Sequence, residues 1–199
     1  KRQFQGRSPL QLVATEAGSY AALAGVPAIV FLPEGEIALG KLAQALEYGA
    51  RVVLVRGADG GSGTFDDAMK LVQEAAKAFG LALMNSVNPF RLEGQKTIVW
   101  ELLVQCSERR VAPDWIVVPG GNLGNTSAFG KALRELPNFW HGVKTPRLAV
   151  IQADGANPFY QGFLEGFKAP QRVEKPETVA TAIRIGAPKN WDKAVAAIR

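Results

Sequence analysis

Residues 115–127 read WIVVPGGNLGNTS, an apolar run followed by a glycine- and asparagine-rich turn. The run Trp115–Val118 has no polar alternation, which is typical of strands covered on both faces. Apolar residues then recur at helical spacing from about Ser127 to Leu136. A covered strand that leads through a tight turn into a helix is the repeating unit of parallel α/β proteins.

The same unit recurs along the rest of the chain. Further covered strands are predicted at Ala28–Leu32, Arg51–Val55, Leu81–Met84 and Leu148–Ile151, and further helices at 38–48 and 65–79. Residues 139–146 and 159–171 are predicted to be surface loops. The predicted fold class is therefore α/β, with parallel open sheets flanked by helices and joined by right-handed crossovers.

The turn after Trp115–Val118 has the composition of a phosphate site. Gly120, Gly121 and Gly124 let the backbone approach an anion, and Asn122 and Asn125 add side-chain donors. The helix that follows contributes unpaired N–H groups and the positive end of its dipole. A turn that merely reverses the chain direction is the alternative. The spacing excludes a dinucleotide fingerprint, and the acidic residue that such a fingerprint needs is missing.

Two other turns at the same edge of the sheet carry cations. Lys41 follows the strand Ala28–Leu32, and the stretch NSVNPFRLEGQKT (residues 85–97) follows Leu81–Met84 with Asn85, Ser86 and Arg91. Arginine grips phosphate through paired hydrogen bonds, so these residues predict a second anion pocket. The alternatives are a solvated lysine and an arginine paired with Glu93.

Composition excludes several classes of protein. The 199 residues are 47% hydrophobic and 21% charged, as in an ordinary globular protein, and no apolar run approaches the length of a membrane span. Cys106 is the single cysteine and His141 the single histidine, so we expect no disulfide framework, no metal site and a reducing cytosol. The net charge of +5 suits anionic ligands, but no basic stripe with aromatics indicates nucleic acid.

Four blocks of the sequence resemble threonine synthases in order and spacing. They are PEGEIALGKLAQALEYGA (33–50), NSVNPFRLEGQKT (85–97), PGGNLGNTSA (119–128) and PETVATAIRIGAPKNW (176–191). The resemblance extends from about Tyr20 to the end of the chain. It implies a fold type II, tryptophan-synthase-β-like enzyme that uses pyridoxal 5′-phosphate. It also implies conversion of O-phosphohomoserine and water to threonine and phosphate by a cytoplasmic homodimer.

The resemblance assigns roles to the residues singled out above. It implies that the cofactor phosphate is held by the glycine turn, at Gly121, Asn122, Leu123, Gly124 and Asn125. It implies that the substrate phosphate is held by Lys41, Asn85, Ser86 and Arg91, with Asn122 also near the substrate. Glu93, Gln95 and Lys96 are expected to be structural and to shape the entry of the following helix.

The chain also departs from the family. The block with the lysine that forms a Schiff base with the cofactor is not matched, and LQLVATEAG stands where a substrate-binding block is expected. The catalytic lysine is therefore unassigned, although Lys41, Lys70, Lys77, Lys96 and Lys131 are chemically capable. We expect a small α/β domain at residues 19–90 and part of a large cofactor domain at 91–199. The family's N-terminal and C-terminal parts are expected to be missing.

Two other functions stay open at this point. A related lyase, such as a threonine dehydratase or a cysteine-synthase relative, would share the glycine turn but not the pocket of Lys41 and Arg91. A degenerate homologue without catalysis would bind anions only, because the cofactor chemistry needs its lysine. An activity assay that compares O-phosphohomoserine with free threonine or serine as substrate distinguishes a threonine synthase from such a related lyase.

Overall fold

A computed structural model describes residues 10–12, 15–34, 39–57, 60–61, 65–84 and 88–199. The chain divides into two compact units, residues 1–88 and 89–199.

The first unit is built on a parallel four-stranded sheet. Its strands are β1 (Leu10–Leu12), β2 (Ala28–Pro33), β3 (Arg51–Val55) and β4 (Ala82–Met84), in the order β3-β2-β1-β4. Its helices are α1 (Thr15–Leu23), α2 (Leu39–Glu47) and α3 (Phe65–Phe79). The three strands predicted here are confirmed. Strand β1 was not predicted, because three residues are too few to show a periodicity, yet it pairs with both β2 and β4.

Helices cover both faces of this sheet, as the missing polar alternation predicted. Val30 packs on one face with Ala21 of α1 and Ala45 of α2. Its neighbour Phe31 points to the opposite face and packs against Ala68 and Val72 of α3. Successive side chains of a strand alternate between faces, so two adjacent apolar residues serve two helical layers.

The second unit carries a separate parallel pair of strands. The strands are β5 (Trp115–Pro119) and β6 (Arg147–Ile151). The helices are α4 (Pro89–Gln95), α5 (Thr97–Glu108), α6 (Gly124–Phe139), α7 (Pro158–Leu164) and α8 (Trp191–Ile198), with short 3-10 turns at Asp154–Ala156 and Thr181–Ile183. The core lies between α5, α6 and one face of β5, where Val99, Ala128 and Ala132 are fully buried.

Two expectations for this unit are corrected. Residues 159–171 were predicted to form a surface loop, but Phe159 is buried in α7 against Trp191, because Pro158 starts a helix that places the ring inside. Strand β5 was expected to be covered on both faces. Within the described residues it alternates, with Ile116 and Val118 buried while Trp115 and Val117 are more than half exposed.

Candidate functional site

The glycine turn after β5 begins at a position where only glycine fits. A β-carbon on Gly120 would lie 2.6 Å from Val150 Cγ1 of the neighbouring strand. The Gly120 N–H donates to the carbonyl of Ile151 at 2.7 Å, and its own carbonyl accepts from Gln152 Nε2 at 2.9 Å. Gly120 is therefore required by the close packing of the turn against β6.

The second glycine of the turn meets the C-terminal segment of the unit. A β-carbon on Gly121 would lie 3.3 Å from the carbonyl oxygen of Ala182 and from Ile183 Cα. Those residues belong to the PETVATAIRIGAPKNW block, so two blocks that are far apart in sequence pack together here. The buried backbone of Gly121 thus forms one wall of the turn.

Leu123 sets the direction of the backbone into α6. It has φ 62°, a left-handed conformation that is rare for a leucine, and directly precedes the first helical residue. Its side chain is only 2% exposed and packs with Phe159, Trp191 and Ala194. Strained backbone of this kind persists where the surroundings fix it, and it is common at ligand-binding turns.

Asn190 ties the turn in place, and it was not identified from the sequence. The carbonyl of Asn122 accepts hydrogen bonds from the backbone N–H of Asn190 at 3.2 Å and from its Nδ2 at 3.1 Å. The side-chain Oδ1 of Asn122 accepts from the N–H of Lys189 at 3.3 Å. An asparagine before a helix indicates an N-cap. Asn190 stands at the N-cap of α8 but makes no capping bond with its side chain, and only the three-dimensional structure shows that it bonds Asn122 instead.

The turn presents a row of unbonded amides. No backbone carbonyl in the described chain accepts a hydrogen bond from an N–H of residues 121–126; the first such bond at this helix start is Ser127 N–H to Leu123 O at 3.0 Å. Helix α6 begins at Gly124, not at Ser127 as predicted, because glycine and asparagine in its first turn resemble a loop in sequence. These donors lie at the positive end of a 16-residue helix and suit an anion.

Thr126 adds a buried hydroxyl to the turn. The residue is fully buried, and its Oγ1 makes no hydrogen bond to any residue that the structure describes. A helical threonine usually donates to the carbonyl four residues earlier. Here that carbonyl belongs to Asn122 and already accepts two hydrogen bonds from Asn190. Burying a hydroxyl without a hydrogen-bond partner lowers the stability of the fold by about 1–3 kcal/mol. Such groups in native proteins often have a functional role.

Gly124 is not required by the packing of the protein itself. A β-carbon there would meet only Gln95 Oε1 at 3.7 Å and Asn190 Nδ2 at 3.9 Å, both ordinary contacts with side-chain ends. Packing therefore requires glycine at Gly120 but not at Gly124. A glycine in the first turn of α6 lets an anion approach the helix N–H groups closely, so the residues present fit a phosphate.

The predicted substrate-phosphate residues are described only in part. Arg91 lies half-buried on α4, and Asn122 lies in the same unit. Lys41 is the third residue of α2 in the other unit, and its side chain is outside the described part. Asn85 and Ser86 also lie outside the described residues. Their grouping into one pocket stays a prediction.

Four charged side chains form a closed ring between α4 and α6. Lys96 Nζ contacts Glu93 Oε2 at 2.6 Å and Glu135 Oε2 at 2.7 Å. Lys131 Nζ contacts the remaining oxygens, Glu93 Oε1 at 2.8 Å and Glu135 Oε1 at 3.0 Å. We call these four residues the ion-pair ring. Both oxygens of Glu93 are held by lysines, so the Arg91–Glu93 pair considered from the sequence does not explain Arg91.

The ring also bears on the unassigned catalytic lysine. Hydrogen bonds to Glu135 and then Glu93 raise the pKa of Lys96, and hydrogen bonds to Glu93 and then Glu135 raise the pKa of Lys131. A lysine attacks a carbonyl only as the free amine, so a raised pKa disfavours that role. The ion pairs of Lys96 and Lys131 therefore favour a structural role for both side chains.

The ring predicts a stability that depends on pH. Hydrogen bonds from Lys131 and then Lys96 lower the pKa of Glu93 below its usual 4.5, and those from Lys96 and then Lys131 lower that of Glu135. Depressed carboxyl pKa values add stability above pH 4.5 that is lost as the pH falls through the folded-state pKa. We expect Glu135→Gln to lower the melting temperature near neutral pH, and the deficit to shrink on acidification below 4.5.

The control for this measurement is Glu108→Gln, which changes an exposed glutamate at the end of α5. Its melting temperature should follow that of the parent at each pH. A Glu135→Gln deficit that stays constant down to strongly acidic pH would contradict the ring as its source.

Some classes of site are not found in the described part of the chain. No group of three histidine, cysteine or acidic side chains is placed to bind a metal ion there. None of the described helices has the length and apolar character needed to cross a membrane. Cys106 is a free thiol.

Comparison with known proteins identifies relatives over nearly the whole chain. The family described as pyridoxal-phosphate dependent enzyme matches residues 14–198. A threonine synthase from Synechocystis sp. is 44% identical over 183 residues, which are 92% of this chain and 44% of that protein. A threonine synthase from Methanocaldococcus jannaschii is 47% identical over 180 residues, which are 90% of this chain and 42% of that protein.

Solved structures show the same fold. A threonine deaminase from T.th. superposes with a TM-score of 0.75 at 24% identity, over 96% of this chain and 59% of that one. A maize serine racemase gives a TM-score of 0.75 at 19% identity, over 96% of this chain and 54% of that one. The chain spans less than half the length of the two threonine synthases.

Proposed function

Because this chain belongs to the pyridoxal-phosphate dependent enzyme family, we propose that its glycine turn binds the phosphate of that cofactor and that the complete protein is a threonine synthase. The observation that carries the proposal is the row of unbonded amides at residues 121–126, which includes Gly124, a glycine that internal packing does not require. The identity of 41–47% to several threonine synthases supports this enzyme over other members of the family.

In this proposal the described residues bind and orient the cofactor. Amides of Gly121, Asn122, Leu123, Gly124 and Asn125 donate to the phosphate, and the dipole of α6 compensates its charge. The buried side chain of Leu123 would fix the backbone of this turn. When bound, the cofactor supplies an electron sink for the reacting substrate carbons. The lysine that would form the Schiff base with the cofactor stays unassigned.

A second anion site distinguishes the proposed substrate. O-phosphohomoserine carries a phosphate group, whereas threonine and serine, the substrates of related dehydratases and racemases, do not. Lys41, Asn85, Ser86, Arg91 and Asn122 are proposed to hold it. Arg91 and Asn122 would provide a guanidinium and an amide, both suited to phosphate oxygens.

The remaining features of the proposal concern the complete protein. Residues 91–199 are proposed to be part of its large cofactor domain. The apolar outer face of β5, with Trp115 53% and Val117 62% exposed, supports a larger sheet or helical layer in the complete protein. We also propose that the complete protein is a cytoplasmic homodimer, as its resemblance to threonine synthases implies.

The experiment supplies O-phosphohomoserine to the complete protein in water enriched in oxygen-18. We expect threonine and phosphate, with the label in the threonine hydroxyl, because the carbon–oxygen bond of the phosphate ester breaks and water adds to the neighbouring carbon. Cleavage of the phosphorus–oxygen bond would instead give homoserine and labelled phosphate. Conversion of free threonine or serine without conversion of O-phosphohomoserine would replace this proposal with a related lyase.

A further inference from the structure

Gln95 ends α4 with its side chain directed at the first turn of α6. Its Oε1 lies 3.7 Å from the position that a β-carbon on Gly124 would take. The residue is half-buried. Within the described part of the chain, that amide makes no hydrogen bond.

The ion-pair ring fixes the backbone on both sides of Gln95. Glu93 precedes Gln95 by two residues and contacts Lys131 of α6. Lys96 follows Gln95 directly and contacts Glu135 of α6. Lys96 is further held over the ring of Trp100, 4.9 Å from its centroid. The ring thus anchors the end of α4 to α6 without using Gln95 itself.

The ring also leaves Gln95 as a neutral side chain beside the turn that it does not engage. Two lysines and two glutamates compensate each other, so neither lysine is free to bind an anion. An amide has two N–H donors, and rotation about its last bond exchanges Nε2 with Oε1. The side-chain amide of Gln95 lies beside backbone N–H groups that have no acceptor. It is therefore suited to donate a further hydrogen bond to an anion that these N–H groups bind.

We propose that Gln95 is a further ligand of the cofactor phosphate. Its Nε2 donates a hydrogen bond to a phosphate oxygen next to Gly124. This inference rests on the proposed function and changes the expectation that Gln95 is purely structural. The ion-pair ring is assigned the role of positioning Gln95, since it fixes the residues on either side of it.

The test measures binding of pyridoxine 5′-phosphate to the cofactor-free complete protein by titration calorimetry. This ligand has the phosphate of the cofactor but no aldehyde, so reaction with lysines does not contribute. Gln95→Glu places a carboxylate against the phosphate, and we expect roughly ten- to a hundredfold weaker binding. Gln95→Asn withdraws the amide by one methylene, and we expect binding about tenfold weaker.

Two controls separate binding from structure. Gln105→Glu makes the same change of charge on the exposed side of α5 and should bind like the parent. Pyridoxine, which lacks the phosphate, should bind the parent and both Gln95 variants equally. A merely structural Gln95 would weaken both ligands together and lower the melting temperature.

The outcomes distinguish this inference from the proposed function. Selective loss of the phosphate ester in both Gln95 variants supports Gln95 as a ligand. If the parent binds the ester, Gly124→Val abolishes binding and Gln95→Glu has no effect, the role of Gln95 is wrong and the glycine turn stands. If the parent binds pyridoxine 5′-phosphate no more tightly than pyridoxine, both proposals are wrong.

Discussion

Gly124→Val is expected to weaken binding of the cofactor phosphate by roughly a hundredfold or more, because at least two hydrogen bonds to a charged group are lost. The branched side chain would occupy the space above the first turn of α6, where the anion must approach. We expect little loss of stability, because a β-carbon there would meet only side-chain ends at 3.7 and 3.9 Å, which can move. Calorimetry with pyridoxine 5′-phosphate and thermal melting measure the two effects separately.

Two other glycines provide matched controls for this variant. Gly94 is an exposed helical glycine of α4 with nothing within 4 Å of a β-carbon, so Gly94→Val should leave the phosphate affinity unchanged. Gly130 lies in α6 where a β-carbon would be 2.1 Å from Ala197 Cβ, so Gly130→Val should lower the melting temperature sharply. If Gly124→Val bound the ligand like the parent, residues 121–125 would no longer be assigned to the phosphate.

Strand β2 and the helices on either side of it could be predicted because burial on two faces leaves a direct mark on composition. Val30 and Phe31 are both apolar because each faces a different helical layer. Strand β1 and helix α7 left no such mark. The first is only three residues long, and the second is recognised only through the contact of Phe159 with Leu123 and Trp191.

The candidate site was predictable where backbone requirements restrict the residue type. The glycines and the following helix indicated a phosphate site, but the sequence could not distinguish Gly120, which packing requires, from Gly124, which it does not. That difference depends on Val150 of the neighbouring strand β6. Asn190 was not identified and Gln95 was expected to be structural, because their contacts with the turn depend on tertiary packing and not on spacing.

Arg91→Ala in the complete enzyme is expected to lower kcat/KM for O-phosphohomoserine roughly ten- to a hundredfold, because a charge-assisted hydrogen bond is worth about 1.5–3 kcal/mol. Most of the change should appear as a higher KM. Absorbance of the bound cofactor should barely change, since the glycine turn is a separate anion site. Arg91→Lys keeps the charge but not the paired donors, so its loss should be intermediate.

Competition by inorganic phosphate distinguishes substrate binding by Arg91 from a structural role. Phosphate is a product of the proposed reaction, so it should compete with O-phosphohomoserine in the parent and lose that competition in Arg91→Ala. A surface ion pair of Arg91 would instead contribute at most about 1 kcal/mol to stability and nothing to phosphate inhibition. Glu93 is a poor partner for such a pair, because Lys96 and Lys131 already hold both of its oxygens. Equal inhibition of parent and variant would leave Arg91 outside the substrate site and remove the main chemical reason for preferring a phosphorylated substrate.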